Sequence, residues 1–265
     1  MQSFLEVAKR AARLGGDIIN HGAKNLSSLK IEQKTLHDYV SEIDRNSEKA
    51  VSNAILDAFP DHQIVGEEYG KIGADADVQW VVDPLDGTTN FLRGIPHYAV
   101  SIGVLVNKQL VHAVVYDPAK NEMFCASKGE GASLNGATIR VSSLTSPRGG
   151  LFATGVPFSG DNLANVDKFT NTMVDLLNQH TSGIRRLGSA ALDLAYVAAG
   201  RYDGYWEPNL KIWDIAGGAL LVTEAGGEIS DFQGRDGYLS SGDIIAAPKG
   251  VHQSMVEIAS RNYVA

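Results

Sequence analysis

The chain has 265 residues, 44% apolar and 20% charged, the balance of a globular protein with a large core in one domain or in two closely joined halves. A formal charge of −8 argues against broad electrostatic binding to nucleic acid or to an anionic membrane. The single cysteine, Cys125, excludes an intrachain disulfide, and no signal-peptide profile or bilayer-length apolar run is present, so a cytoplasmic protein is expected.

Residues 4–21 set Leu5, Ala8, Ala12 and Ile19 among charges, an amphipathic helix ending near Gly22. Residues 29–34 read as strand. Residues 38–44 open a second helix that runs to about Phe59, with Ser41 and Asp44 spaced as a capping box and Pro60 as the stop. Residues 63–65 form a short strand that delivers Gly66-Glu67-Glu68, and 71–78 read as a mobile polar loop.

The central stretch comes next. Trp80 to Val82 is a buried strand by its apolar, β-branched character. It ends in Asp83 and Asp86, separated by Pro84 and Leu85. Gly87 then opens a polar segment whose Thr88, Thr89 and Asn90 suit a helix start. Residues 98–106 and 110–116 read as a hairpin turning at Asn107 and Lys108, 122–127 as strand, and Asn135-Gly136 as a tight turn. The Ser, Thr, Pro and Gly cluster at 142–150 marks a joint between an N-terminal half (1–145) and a C-terminal half (146–265).

Beyond that joint, strands are predicted at 151–154, 184, 205–207, 228–231 and 243–246. Helices are predicted at 165–179, 190–200, 215–225 (started by Asp214) and 251–261. Helices alternating with sheets through both halves predict stacked layers, an α/β or α+β sandwich.

Acids stand at the ends of several elements: Glu67, Asp83, Asp86 and Asp214. If they converge, their oxygens suit Mg²⁺, with the Leu85 carbonyl as a neutral ligand and the N–H groups of Gly87 and Thr88 facing an anion. Two such cations, about 3.5–4 Å apart, activate a water and neutralise a leaving oxygen, the main requirement of phosphate ester hydrolysis. Taken singly, Glu67 reads as a solvated turn residue, and Asp214 and Asp44 as helix-start acids. Their joint pattern favours the site. The seven histidines show no metal-binding spacing, and Cys125 has no partner.

Three ordered motifs carry a resemblance: Gly66-Glu67-Glu68, Asp83-Pro-Leu-Asp-Gly-Thr88, and Trp213-Asp214-Ile-Ala-Gly-Gly218 followed by Glu224-Ala-Gly-Gly227. Together they resemble the signature of the inositol monophosphatase family of Mg²⁺-dependent, lithium-sensitive phosphatases. The resemblance implies a layered αβαβα sandwich and a homodimer. It implies two or three Mg²⁺ held by Glu67, Asp83, Asp86, Asp214 and the Leu85 carbonyl. Thr88 and Asp44 would hold and polarise the attacking water, with Glu67 acting through its metal.

By the same resemblance Gly188-Ser189-Ala190 faces the substrate's sugar-like ring and Glu207 bonds its hydroxyls. Arg185 has two readings, neutralising substrate or organising a subunit contact. Three departures stand out. Lys211 occupies a place where animal enzymes often carry histidine, Val156 changes a Gly-Phe-Pro-Phe motif, and residues 34–38 match the family's metal-sensing loop only loosely.

The activity implied is hydrolysis of myo-inositol 1-phosphate or a related polyol phosphate. The same chemistry in relatives acts on fructose 1,6-bisphosphate, adenosine 3′,5′-bisphosphate, NADP or histidinol phosphate. The short 71–78 loop leaves little room for a nucleotide-recognition insert. A second role is also implied, because some bacterial members dock onto the transcription antitermination machinery, and Arg185-Arg186 and Leu210-Lys211 resemble bacterial segments. No direct contact with membrane or nucleic acid is expected.

Overall fold

The computed structural model describes residues 3–26, 31–35, 38–157 and 160–263. Helix α1 (Phe4–Ala23) starts at Ser3, whose hydroxyl accepts the Glu6 N–H, and buries Val7, Ala8, Ala11, Ala12 and Ile19 along one side. Strands β1 (Ile31–Thr35) and β2 (Asp38–Ser41) pair antiparallel, so 38–41 is not the opening of the second helix. Helix α2 (Glu42–Leu56) begins after Ser41. The Ser41 hydroxyl accepts the Ile43 N–H, and the Asp44 carboxylate accepts the Ser41 N–H at 2.8 Å. The capping box was legible, and it marks the boundary. Residues 29 and 30 of the predicted first strand lie outside the described residues.

Eight strands form the larger sheet: β3 (Gln63–Gly66), β4 (Lys71–Ile72), β5 (Val78–Asp86), β6 (Ala99–Val106), β7 (Gln109–Asp117), β8 (Glu122–Ser127), β9 (Gly131–Leu134) and β10 (Ala137–Ile139). Their order is β10-β9-β8-β7-β6-β5-β3-β4, with only β3 and β5 parallel. The polar 71–78 segment therefore supplies an edge strand rather than loop throughout. The β6–β7 hairpin turns on Asn107 and Lys108, both with positive φ (49° and 65°), the geometry that fits the twist of paired strands.

The central strand is longer than the apolar run predicts. It continues through Asp86, and its pairing with β6 slips between Asp83 and Asp86. A slip of this kind bends the strand and re-aims its side chains, here at the position of the two acids. Helix α3 (Thr88–Leu92) follows. Its N-cap is Gly87 (φ 100°), not a threonine or asparagine, and it has five residues. So short a helix gives little dipole to hold an anion, which weakens that part of the expectation.

Strands β11 (Leu151–Thr154), β12 (Gly183–Arg185), β13 (Gly204–Glu207), β14 (Glu228–Ser230) and β15 (Ile244–Ala247) make the second sheet, in the order β12-β11-β13-β15-β14. With it run α4 (Val166–Leu177), α5 (Ala190–Ala198), α6 (Ile212–Glu224), α7 (Tyr238–Ser241) and α8 (Lys249–Asn262), and a 3₁₀ turn at Gly160–Asn165 leads into α4. Asp214 sits in the first turn of α6 rather than before it.

All nine residues of α5 and the run Ile215–Val222 of α6 are buried. Helices apolar on every side belong between layers, and these lie between the two sheets. A Cβ on Gly217 would come within 2.6 Å of Ser101 Oγ and one on Gly218 within 2.4 Å of Leu194 Cβ, so glycines inside α6 permit the close contact. Helices α1 and α2 cover the outer face of the first sheet, α4 and α8 that of the second. The result is an αβαβα sandwich. Among the described residues no helix is long and apolar enough to cross a membrane.

Candidate active site

Asp83 is buried on β5, and its Oδ1 accepts the Leu85 N–H at 3.0 Å. Ser47 of α2 donates its hydroxyl to the Pro84 carbonyl at 2.9 Å, tying that helix to the turn. Burial pushes the Asp83 carboxyl well above the usual carboxylate range, and the charges of Glu67, Asp86 and Asp214 push it further. Asp214 is raised well above that range by burial, then by Asp86, Glu67 and Glu207, although the Lys211 N–H donates to its Oδ2 at 2.7 Å. Asp86 is raised to about 6 by burial, against the donors of Ser189, Ala191 and Ala190. The four acids picked from sequence therefore stand within reach of one another's charge.

Thr88 and Asp44 also meet. Thr88 Oγ1 lies 2.9 Å from Asp44 Oδ1 and 3.1 Å from the Leu85 carbonyl oxygen. Its one hydrogen serves the nearer, charged acceptor, which leaves the hydroxyl's lone pairs to accept from another molecule. Asp44 is buried, and its Oδ2 accepts both the N–H and the hydroxyl of Ser41. Burial still raises its carboxyl above the usual range.

Glu48, which the sequence reading passed over, holds the backbone that follows Glu67. It is fully buried on α2 and accepts the N–H groups of Glu68 at 2.7 Å and Tyr69 at 3.0 Å. A Cβ on Gly66 would stand 2.1 Å from its Oε1, so that glycine makes the room. The available signal was its spacing: Glu48 follows Asp44 by four residues, on the same face of a helix.

The start of α5 and the loop before it meet this turn through two polar stitches. Asp86 Oδ2 accepts the Ser189 hydroxyl and the Ala191 N–H, both at 2.7 Å. Ser189 also caps α5 by accepting the Leu192 N–H, so its capping reading and its place at the site both hold. Asn90, buried, donates from Nδ2 to the His97 carbonyl at 2.8 Å and the Leu187 carbonyl at 2.7 Å, with the Gly188 carbonyl at 3.3 Å. Gly87, Gly188, Ser189 and Ala190 are thereby brought against Asp86. The sequence marks Asn90 only as a helix-start residue, because the partners of its side chain lie up to 98 residues away.

Glu207 ends β13 half-buried, and its Oε2 accepts the Tyr205 hydroxyl at 2.5 Å. Burial raises its carboxyl to about 7, Asp86 adds to the shift, and Tyr205, Arg186 and the Gly155 N–H oppose it. Asp193, another buried acid that sequence reading missed, is raised well above the usual range by burial, Glu207 and Asp86. Its Oδ1 has no hydrogen-bond partner among the described residues. The signal for it was a charge inside the otherwise apolar stretch 190–198. Arg185 is exposed on edge strand β12, and it is Arg186 whose charge reaches Glu207 and Asp193. Lys211 is exposed at the N-cap of α6. Phe158, and residues 36 and 37 of the segment likened to a metal-sensing loop, lie outside the described residues.

Among the described residues, no three acidic, histidine or cysteine side chains are gathered tightly enough to form a ready-made metal cage. One oxygen each of Asp83, Asp86 and Asp214 is turned instead to a protein donor. The donor set nevertheless suits a hard cation. Buried, crowded carboxylates are costly as anions, and Asp83, Asp86 and Asp214 are each shifted toward the protonated form. An oxygen-only set of this kind selects Mg²⁺-like ions over soft ones.

The inositol monophosphatase family profile matches residues 1–263. The "Nus factor SuhB" of Pseudomonas aeruginosa is 50% identical over 249 residues, 93% of this chain and 92% of that one. The crystal structure of the extragenic suppressor protein suhB from Bartonella henselae superposes with a TM-score of 0.94 at 38% identity, covering 98% of this chain and 99% of that one. An inositol monophosphatase from Anabaena gives 0.82 at 34% identity, covering 97% and 95%.

Proposed function

We propose, from the premise that this chain belongs to the inositol monophosphatase family, whose fold is that of phosphatases, that it is a Mg²⁺-dependent phosphomonoesterase acting on myo-inositol 1-phosphate or a related polyol phosphate. The observation that carries this reading is the crowding of negative charge: burial, then Glu67, Asp86 and Asp214, raises the Asp83 carboxyl, and burial, then Asp86 and Glu67, raises that of Asp214. Two or three Mg²⁺ ions, held by these acids and the Leu85 carbonyl, would supply charge neutralisation for the phosphoryl group and its leaving oxygen. One oxygen of Asp83, Asp86 and Asp214 is oriented by a protein donor, an arrangement that leaves the second for a cation.

The chain's own groups do the rest. Thr88, its hydrogen given to Asp44, accepts a hydrogen from the attacking water and fixes its direction. The new P–O bond forms from that water, which keeps one hydrogen on the phosphate and gives its other proton to solvent, while the bond to the alcohol oxygen breaks and the alcohol takes a proton from solvent in turn. Glu207 and the Gly188-Ser189-Ala190 segment bind the polyol, which places its ester oxygen toward Asp214. Sensitivity to Li⁺ follows if that ion takes the cation place nearest Asp83, Asp86 and Asp214. Phosphate release from a panel of esters, with Mg²⁺ and then with chelator, tests the reading. Equal rates in both, or no release from any polyol ester, would refute it.

A second role rests on one observation, the name Nus factor carried by the relative from Pseudomonas aeruginosa. By that likeness the chain also binds proteins of the transcription machinery. Capture of defined antitermination proteins by purified wild type, and by a catalytically dead Asp214→Asn variant alike, is the expected result. Failure of both to capture them would end this reading.

A further inference from the structure

The geometry points to Tyr205 as a positioning residue that sets substrate choice, by clamping the carboxylate of Glu207 from inside the fold. This rests on the reading of Glu207 as the acid that bonds the hydroxyls of a polyol. Residues 205 and 207 lie two apart on β13 and so face the same way. That way is toward α5, since Tyr205 packs in the cluster with Ala191, Leu194 and Ala195, whereas Trp206 packs with Phe169 and Met255 on the other side. Ala153 and Ala246 flank Tyr205 in register on β11 and β15, and such small neighbours leave the ring its space.

The hydroxyl so placed is fully buried and donates to Glu207 Oε2 at 2.5 Å. The carboxylate also lies close against Gly155, where a Cβ would stand 1.7 Å from Oε1. The acid is therefore held in one orientation by the Tyr205 hydroxyl and the Gly155 N–H, and it has its room because Gly155 lacks a side chain. A neutral O–H orients a carboxylate without cancelling its charge, so the remaining lone pairs still accept from ligand hydroxyls. An arginine in the same place would have occupied both oxygens.

Kinetics of wild type, Tyr205→Phe, Gly155→Ala, Glu207→Gln and the Tyr205→Phe/Glu207→Gln double variant on myo-inositol 1-phosphate and p-nitrophenyl phosphate test the clamp, with melting temperatures alongside. Tyr205→Phe keeps the ring and removes only the hydroxyl. Its ratio of kcat/KM for the inositol ester over the aryl ester should fall about tenfold, mostly through KM, as loss of one charge-assisted hydrogen bond predicts. Gly155→Ala should reproduce that fall, because its methyl must displace Glu207. In the Glu207→Gln background Tyr205→Phe should change the ratio no further. A ratio unmoved by Tyr205→Phe while Glu207→Gln lowers it overturns the clamp alone. A ratio unmoved by Glu207→Gln overturns the reading of Glu207 and the clamp with it.

Discussion

Replacing Asn90 should separate hydrogen bonding from packing where the central turn meets the loop before α5. Its amide nitrogen serves two buried carbonyls at 2.7–2.8 Å, one on its own turn (His97) and one on the loop before α5 (Leu187). Asn90→Ala leaves both without their donor. At about 1–2 kcal/mol for each stranded acceptor, the loss is about 2–4 kcal/mol. For a chain of this size that lowers the melting temperature by roughly 5–15 °C. Asn90→Asp keeps the shape but sets an anionic oxygen where the donor stood, against the same two carbonyls, so it should be the less stable variant near neutral pH. That carboxyl's folded pKa would be raised, so the penalty grows as pH rises through it and shrinks in acid. Thermal melts at pH 5 and pH 8 read both effects. Both variants should also lose kcat/KM, because Ser189 and Ala191 no longer meet Asp86 as drawn. An Asn90→Asp protein that melts with wild type, or above Asn90→Ala at pH 8, would refute the reasoning.

Asp214→Asn should lower turnover roughly 100-fold or more with little change in melting temperature, since Asn can still accept the Lys211 N–H while the anionic ligand is lost; normal turnover would sink its role. Glu48→Gln turns an NH₂ group toward the backbone donors of Glu68 or Tyr69, which should destabilise by about 1–3 kcal/mol and raise the Mg²⁺ concentration needed for half-maximal rate. An unchanged Mg²⁺ requirement would mean that Glu48 does not position Glu67. In chelator, the stability of wild type relative to Glu207→Gln and Asp86→Asn variants should fall as pH rises from about 4.5 through about 7, because Glu207 (raised to about 7) and Asp86 (raised to about 6) bind protons more tightly folded than unfolded, and the comparison cancels the opposite slope of His62, His97, His112 and His252. Added Mg²⁺ should flatten that slope, and melts across pH with and without it supply the check.

The arrangement of the central turn was legible because it is contiguous: strand, acids, glycine and threonine follow one another within ten residues. Stacked layers were legible from alternating elements, and the αβαβα order from the family resemblance. Boundaries failed where two tendencies overlapped. Residues 38–41 precede a strong capping box, and the helix signal was carried back across Tyr39 and Val40, residue types that favour strands. The length of β5 was hidden because Pro84 and two acids look like a turn, whereas the structure absorbs them in an irregular stretch of strand. Glu48, Asn90 and Tyr205 escaped for a different reason. Each acts on a group set by the fold, 20 residues away for Glu48 and 97 for Asn90, or through a bond on the inward face of a strand for Tyr205. No local pattern announces such partners.

Phosphate release from myo-inositol 1-phosphate as Mg²⁺ is titrated, removed by chelator and restored tests the central claim most directly. The acid cluster predicts a rate that rises to saturation with Mg²⁺, disappears in chelator and returns on re-addition, with Asp83→Asn inactive throughout. A rate indifferent to chelator, or one preserved in Asp83→Asn, would contradict it.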